Sequence, residues 1–140
     1  MKNLLSILFL SLLVFSCDRP ASTEEFIRGK GPFRFTVDMQ DSTAAYSFDL
    51  CTRIDARDVP AQLQLDITWK MPGDSLFQET VYLPINRQTS FFSHEAYAPY
   101  REDIVPAEWG IWELVITVPE QPEGFRGMGL VTKRKWATEN

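Results

Sequence analysis

The segment QLQLDITWK, residues 62–70, alternates polar and apolar side chains along its whole length. Successive side chains of a β-strand point to opposite faces of a sheet, so this alternation is typical of a strand that buries only one face. Half-buried strands of this kind belong to antiparallel sheets. The apolar parity consists of Leu63, Leu65, Ile67 and Trp69. The segment therefore predicts an antiparallel strand with these side chains in the core.

The same alternation recurs before and after this strand. Three further apolar stripes are Phe33, Phe35, Val37 and Met39, then Tyr46, Phe48 and Leu50, then Trp112, Leu114, Ile116 and Val118. The segments ETVYLPI, residues 79–85, and GMGLVTKRK, residues 127–135, are further candidate strands. Helical periodicity is weak, and only residues 90–103 could hold a short helical turn, which Pro99 limits.

Turn residues separate the candidate strands. The tripeptide Pro72-Gly73-Asp74 predicts a hairpin between the strand that contains Trp69 and the strand that contains Val81. About six to eight short strands within roughly a hundred residues favour an all-β fold, an antiparallel β-sandwich of jelly-roll or Ig-like type. An open β-barrel is the second choice.

The chain begins with a positively charged and then apolar segment. Lys2 precedes an apolar run that ends at Phe15, which is shorter than the about 20 residues that a membrane-spanning helix needs. Residues 1–16 are therefore predicted to be a signal peptide. The tetrapeptide Val14-Phe15-Ser16-Cys17 resembles a bacterial lipobox. The resemblance implies cleavage before Cys17 and acylation, with palmitate for example, of this residue.

Acylation of Cys17 has consequences for the rest of the chain. It leaves Cys51 as a lone thiol, which excludes the alternative of a disulfide between the two cysteines. Residues 17–31 are predicted to be the lipidated N-terminus and a flexible tether, because they are polar and contain proline, serine and glycine. Residues 32–136 form a single predicted domain, and residues 137–140 form a C-terminal tail.

The charge of the processed chain excludes some partners. Removal of Lys2 leaves 13 basic against 19 acidic residues, a net charge of −6. Nucleic acids and anionic lipid headgroups bind basic surfaces, so neither is expected as a partner. The expected partners are the membrane, through the lipid anchor, and proteins of the cell envelope, with a glycan as an alternative.

Residues that commonly carry catalysis are sparse. His94 is the single histidine, and no second histidine or cysteine pair completes a zinc site. The sequence contains neither a nucleophile elbow nor a P-loop. A hydrolase would need Glu102, Asp103 and Glu108 to converge in space. We therefore expect a protein that is not an enzyme and that uses no metal or cofactor, and we assign no role to Cys51 or His94.

Aromatic residues crowd the region before the last hairpin. Exposed aromatic side chains bind sugar rings or form hot spots in protein interfaces. Tyr97, Tyr100 and Trp109 are the candidate binding residues, and their density suggests a loop. Trp109, beside Gly110, is the best candidate for exposure, whereas Trp112 fits the core.

Two long segments resemble the GldH-type gliding-motility lipoproteins. Within residues 106–135, Gly110 precedes an alternating strand that begins with the aromatic Trp112. A loop follows at residues 119–126, and the closing strand begins near Gly129-Leu130. Residues 53–85 show an arginine, a proline-containing bend, an alternating strand, a turn and a Glu79-Thr80 strand. The resemblance covers about residues 33–134. It departs at residues 86–101, NRQTSFFSHEAYAPYR, which replace a segment rich in glycine and tryptophan.

The resemblance implies a non-enzymatic accessory lipoprotein of the machinery for gliding motility and its linked protein secretion. We expect an exported, membrane-anchored protein of a Gram-negative-type envelope, with the outer membrane favoured. Asp18 follows the acylated cysteine and in some bacteria retains lipoproteins at the inner membrane, so that location stays open. A carbohydrate-binding lipoprotein is the alternative function, and a hydrolase is the third.

Overall fold

A computed structural model describes residues 22–136. The predicted signal peptide, the predicted lipidation site Cys17 and the predicted tail 137–140 lie outside the described residues. Within residues 22–136 the chain forms nine strands. They are β1 (Ser22–Arg28), β2 (Phe33–Met39), β3 (Ala44–Ile54), β4 (Gln62–Lys70), β5 (Leu76–Pro84), β6 (Arg87–Ser90), β7 (Ser93–Ile104), β8 (Gly110–Thr117) and β9 (Phe125–Trp136).

The strands pair antiparallel in two sheets. One sheet has the order β1-β9-β3-β7-β6, and the other has the order β2-β8-β4-β5. Each predicted apolar stripe lies in the core between the sheets, because all its members are buried. Burying each large apolar side chain contributes roughly 1.5–3 kcal/mol. The predicted antiparallel β-sandwich is therefore confirmed.

The predicted hairpin after Trp69 joins β4 to β5. The N–H of Met71 donates to the carbonyl of Ser75 at 2.9 Å, and the N–H of Asp74 donates to the carbonyl of Met71 at 3.0 Å. Asp74 has a φ of 68°, a left-handed conformation that aspartate tolerates better than most residues. The turn sets a register in which Trp69 lies opposite Phe77.

The predicted flexible tether is wrong for residues 22–28. These residues form β1, which pairs with β9 from Ser22 opposite Lys133 to Arg28 opposite Gly127. Six of the seven side chains of β1 are exposed. The strand is therefore held mainly by backbone pairing with β9, and it lacks the alternation that identifies a half-buried strand.

The aromatic segment around residue 97 is also a strand and not a loop. Tyr97 and Tyr100 both lie in β7, which pairs with β3 from Ile104 to His94. Pro99 is tolerated because β6 pairs only with the first residues of β7, up to Glu95. Beyond that point β7 is an edge strand, where a missing N–H breaks no ladder.

No helix among the described residues is long and apolar enough to cross a membrane.

Candidate functional site

An apolar cleft opens between the two sheets at one end of the sandwich, which we call the cleft end. The cleft has a volume of about 140 Å³. Its lining consists of Met39, Phe48, Trp69, Met71, Phe77, Arg101, Ile104, Pro106 and Trp112. Arg101 supplies the charged group, and the other side chains are apolar or aromatic. Concave apolar sites of this kind are typical of binding surfaces.

The loop 105–109 and the turn 71–75 both lie at the cleft end, and a hydrogen bond joins them. The carboxylate of Glu108, in the loop 105–109, accepts a hydrogen bond from the N–H of Gly73 at 3.1 Å. The indole N–H of Trp112 donates to the carbonyl of Glu108 at 2.9 Å. Gly110 has a φ of 150°, and a Cβ there would lie 2.9 Å from the ring of Pro72. The loop and the turn 71–75 are therefore held in one arrangement.

A chain of hydrogen bonds crosses between the sheets beside the cleft. The indole N–H of Trp69 donates to the hydroxyl of Tyr100 at 3.2 Å, and that hydroxyl donates to the carboxylate of Glu79. Arg101 donates to both oxygens of the same carboxylate at 2.6 and 2.7 Å. Burial, and then the hydrogen bond to Glu79, raise the pKa of Tyr100 well above its usual range. Tyr100 is therefore a protonated, structural donor at neutral pH.

Apolar side chains are exposed at the cleft end, and we call these residues the rim. Leu76 and Ile111 alternate with the inward-facing Phe77 and Trp112, so they lie on the outer face of the four-stranded sheet. The rim consists of Leu76, Phe77, Val105, Trp109 and Ile111. Among residues 22–136, these are half of the ten exposed large hydrophobic residues. Val105 is 68 % exposed and Trp109 is 42 % exposed. Large apolar patches on a rigid surface mark sites of association.

A second exposed surface lies on the outer face of the five-stranded sheet. Phe26 and Cys51 both lie opposite Gly129, and Tyr97 lies opposite Cys51. These residues form a row across four strands. A Cβ on Gly129 would collide with the sulfur of Cys51 and approach the ring of Phe26 to 3.0 Å, so glycine is required there. We call this row the outer row.

A buried carboxylate supports the outer row. Asp49 is only 4 % exposed. Its carboxylate accepts a hydrogen bond from the hydroxyl of Tyr97 at 2.9 Å and forms an ion pair with the ammonium of Lys133 at 2.6 Å. The hydrogen bond that Lys133 donates to Asp49 raises the pKa of Lys133. The hydrogen bond that the hydroxyl of Tyr97 donates to Asp49 likewise raises the pKa of Tyr97. Lys133 therefore stays a cation and Tyr97 stays a neutral donor.

The thiol of Cys51 is held in its neutral form. Burial raises the pKa of Cys51 to about 11, and the carboxylates of Glu24, Glu95 and Asp49 add to this effect. A neutral thiol is a poor nucleophile. Elsewhere, the Nδ1 of His94 lies 3.1 Å from the carbonyl of Ala56, which ties the imidazole to the loop after β3. In the part of the chain that the structure describes, no three His, Cys, Asp or Glu residues are grouped as metal ligands.

The structure separates the candidate binding residues. Tyr97 is exposed in the outer row, Tyr100 is half-buried beside the cleft, and Trp109 is exposed on the rim. Trp112 is core, at 7 % exposure. Arg101 and most of the rim cannot be recognised from the sequence, because isolated residues such as Leu76 and Val105 follow no motif.

No model of a known protein family matches this chain, and no curated protein matches it closely enough to indicate a relative.

Proposed function

We propose that this protein is a lipid-anchored module of the bacterial cell envelope that acts by association with other envelope components and not by catalysis. Cys17 carries the acyl chains, and the β-sandwich is the associating domain. The observation that carries the proposal is the exposure of apolar side chains on two rigid surfaces, the rim and the outer row. Rigid, exposed aromatic residues are typical anchors of interfaces.

The protonation states of the nearby polar groups support a non-catalytic role. A nucleophile or general base must lose its proton near neutral pH. The pKa of Cys51, of Tyr97 and of Lys133 are all raised, which works against this requirement.

The resemblance to the GldH-type lipoproteins supports a narrower proposal. We infer that the protein serves the machinery for gliding motility and the linked secretion of proteins. The outer row, with Phe26 and Tyr97, is the surface for a protein partner, because its aromatic side chains lie on the wide face of a five-stranded sheet.

Cross-linking in intact cells tests this proposal. The full chain, with alanine at Phe26 or at Tyr97, is compared with a Tyr82→Ala control. Tyr82 is 57 % exposed and belongs to β5 of the other sheet. We expect partners captured by the native chain to be lost from the two outer-row variants and retained by the control. Equal capture by all four proteins would contradict the proposed surface.

A further inference from the structure

We propose that the rim docks on the surface of the bilayer, with Val105 and Trp109 in the headgroup region of zwitterionic lipids. The inference rests on the proposed function, because it needs the lipid anchor at Cys17. It adds an orientation: the cleft end faces the membrane, and the outer row stays accessible to a protein partner.

The direction of β1 brings the rim close to the anchor. Ser22 lies opposite Lys133, and the last described residue of β9, Trp136, lies opposite Ala44 at the cleft end. At about 3.4 Å per residue, Ser22 is therefore roughly 10 Å from the cleft end. Five residue steps separate Cys17 from Ser22, and fully extended they span at most about 18 Å. An acylated Cys17 thus holds the cleft end near the membrane surface.

The chemistry of the rim matches this interface. Tryptophan is enriched at the level of lipid headgroups, where its ring meets an apolar environment and its N–H stays hydrated. Val105 is the most exposed of the rim residues, and Leu76 is 61 % exposed. Because Glu108 fastens the loop 105–109 to Gly73, the rim is already ordered before it meets a membrane.

The charges of the same segments select the lipid. Residues 70–77 and 101–111 contain four carboxylates, of Asp74, Glu102, Asp103 and Glu108, against the two cations of Lys70 and Arg101. Both cations are paired, Lys70 with Asp74 at 3.5 Å and Arg101 with Glu79 at 2.6 Å. The two segments that carry the rim therefore have a net charge of −2, which disfavours anionic headgroups, so zwitterionic lipids are the expected surface.

Spin labels on the full, acylated chain test the docking. A Cys51→Ala background leaves single labelling sites in V105C and in the control F92C. Phe92 is 61 % exposed, and it lies in the hairpin between β6 and β7 at the opposite end of the sandwich. The probes are collisions with oxygen and with a water-soluble nickel chelate, measured in phosphatidylcholine vesicles and in vesicles with added phosphatidylglycerol.

We expect the Val105 label in phosphatidylcholine to show a several-fold higher ratio of oxygen to nickel collisions than the Phe92 label. Added phosphatidylglycerol should reduce this ratio. Equal, water-like ratios at both sites in an acylated protein would overturn the docking while leaving the anchor intact. Protection of Val105 only in native envelopes, and not in vesicles, would assign the rim to a protein partner and equally overturn it. Lack of acylation at Cys17 would instead contradict the proposed function.

A variant without added cysteine provides a second readout. Tryptophan fluorescence of the acylated protein should be quenched by brominated phosphatidylcholine, and most of this quenching should disappear in Trp109→Phe. Unchanged quenching in Trp109→Phe would contradict the proposed contact.

Discussion

The carboxylate of Glu108 accepts a hydrogen bond from the N–H of Gly73 at 3.1 Å and so joins the two loops that form the cleft end. The contact links the start of β8 to the turn between β4 and β5. A single side chain thereby fixes the shape of the surface that we assign to membrane docking.

Removing this carboxylate should loosen the cleft end. We expect Glu108→Ala to lower the free energy of unfolding by about 1 kcal/mol, since the lost bond is partly exposed to solvent. Gly110→Ala should lower the free energy of unfolding further, because its methyl group would collide with Pro72. It would also force alanine into a backbone conformation that essentially only glycine adopts, a strain of about 1–3 kcal/mol. Urea unfolding measures both values. Ala107, which is exposed in the same loop, provides a control in Ala107→Ser that should be near neutral.

Substitutions in the hydrogen-bond network beside the cleft should lower the free energy of unfolding by different amounts. Tyr100→Phe removes the acceptor of the Trp69 indole and one donor to Glu79, and we expect a loss of about 1–2 kcal/mol. Glu79→Ala should destabilise the protein more, because it leaves both Tyr100 and Arg101 without their acceptor. The reverse order of the two losses, measured by urea unfolding, would contradict the described network.

Gly129 and Cys51 should be coupled. Gly129→Ala places a methyl group against the sulfur of Cys51, and overpacking of this kind typically destabilises by about 1–3 kcal/mol. Cys51→Ala removes the sulfur, so the double variant should recover part of the loss. A double-mutant cycle on the free energy of unfolding tests this. Strict additivity of the two changes would show that the outer row is not packed as described.

The raised pKa of Cys51 predicts slow thiol chemistry. In a Cys17→Ala variant, the rate of reaction with an aromatic disulfide should keep rising until the pH approaches about 11. An unfolded control, whose thiol has an ordinary pKa of about 8.5, should reach its plateau near pH 9 to 10. A native rate that levels off together with the unfolded control would contradict the burial of the thiol.

The same shift gives a pH dependence of stability. The folded thiol holds its proton more tightly than the unfolded one, so its contribution is complete below the unfolded pKa of about 8.5 and is lost as the pH rises towards about 11. Comparison of Cys51→Ala with the native chain over this range isolates the contribution. We expect the difference in unfolding free energy between the two to change across this range and to be constant below pH 8.

Much of the fold follows from patterns in the sequence, and the exceptions have physical causes. Alternation identified β2, β3, β4 and β8 because these strands bury one face. β1 was missed because it is held by backbone pairing with nearly all its side chains exposed, and β6 because its four residues are all exposed.

The candidate site was harder to predict. Tyr97 and Tyr100 differ in parity, so one strand sends them to opposite faces of its sheet. Trp109 was identified because tryptophan beside glycine is conspicuous, whereas Val105 and Leu76 become notable only when the two loops meet. The two loops are held together by the contact of Glu108 with Gly73, which lies 35 positions away in the chain.

The incorporation of labelled palmitate, in cells that produce the native chain or Cys17→Ala, tests directly whether Cys17 anchors the protein. We expect label on the native protein, no label on Cys17→Ala, and release of that variant from the membrane fraction. Equal label on both proteins, or a native protein without label, would contradict the proposed anchor.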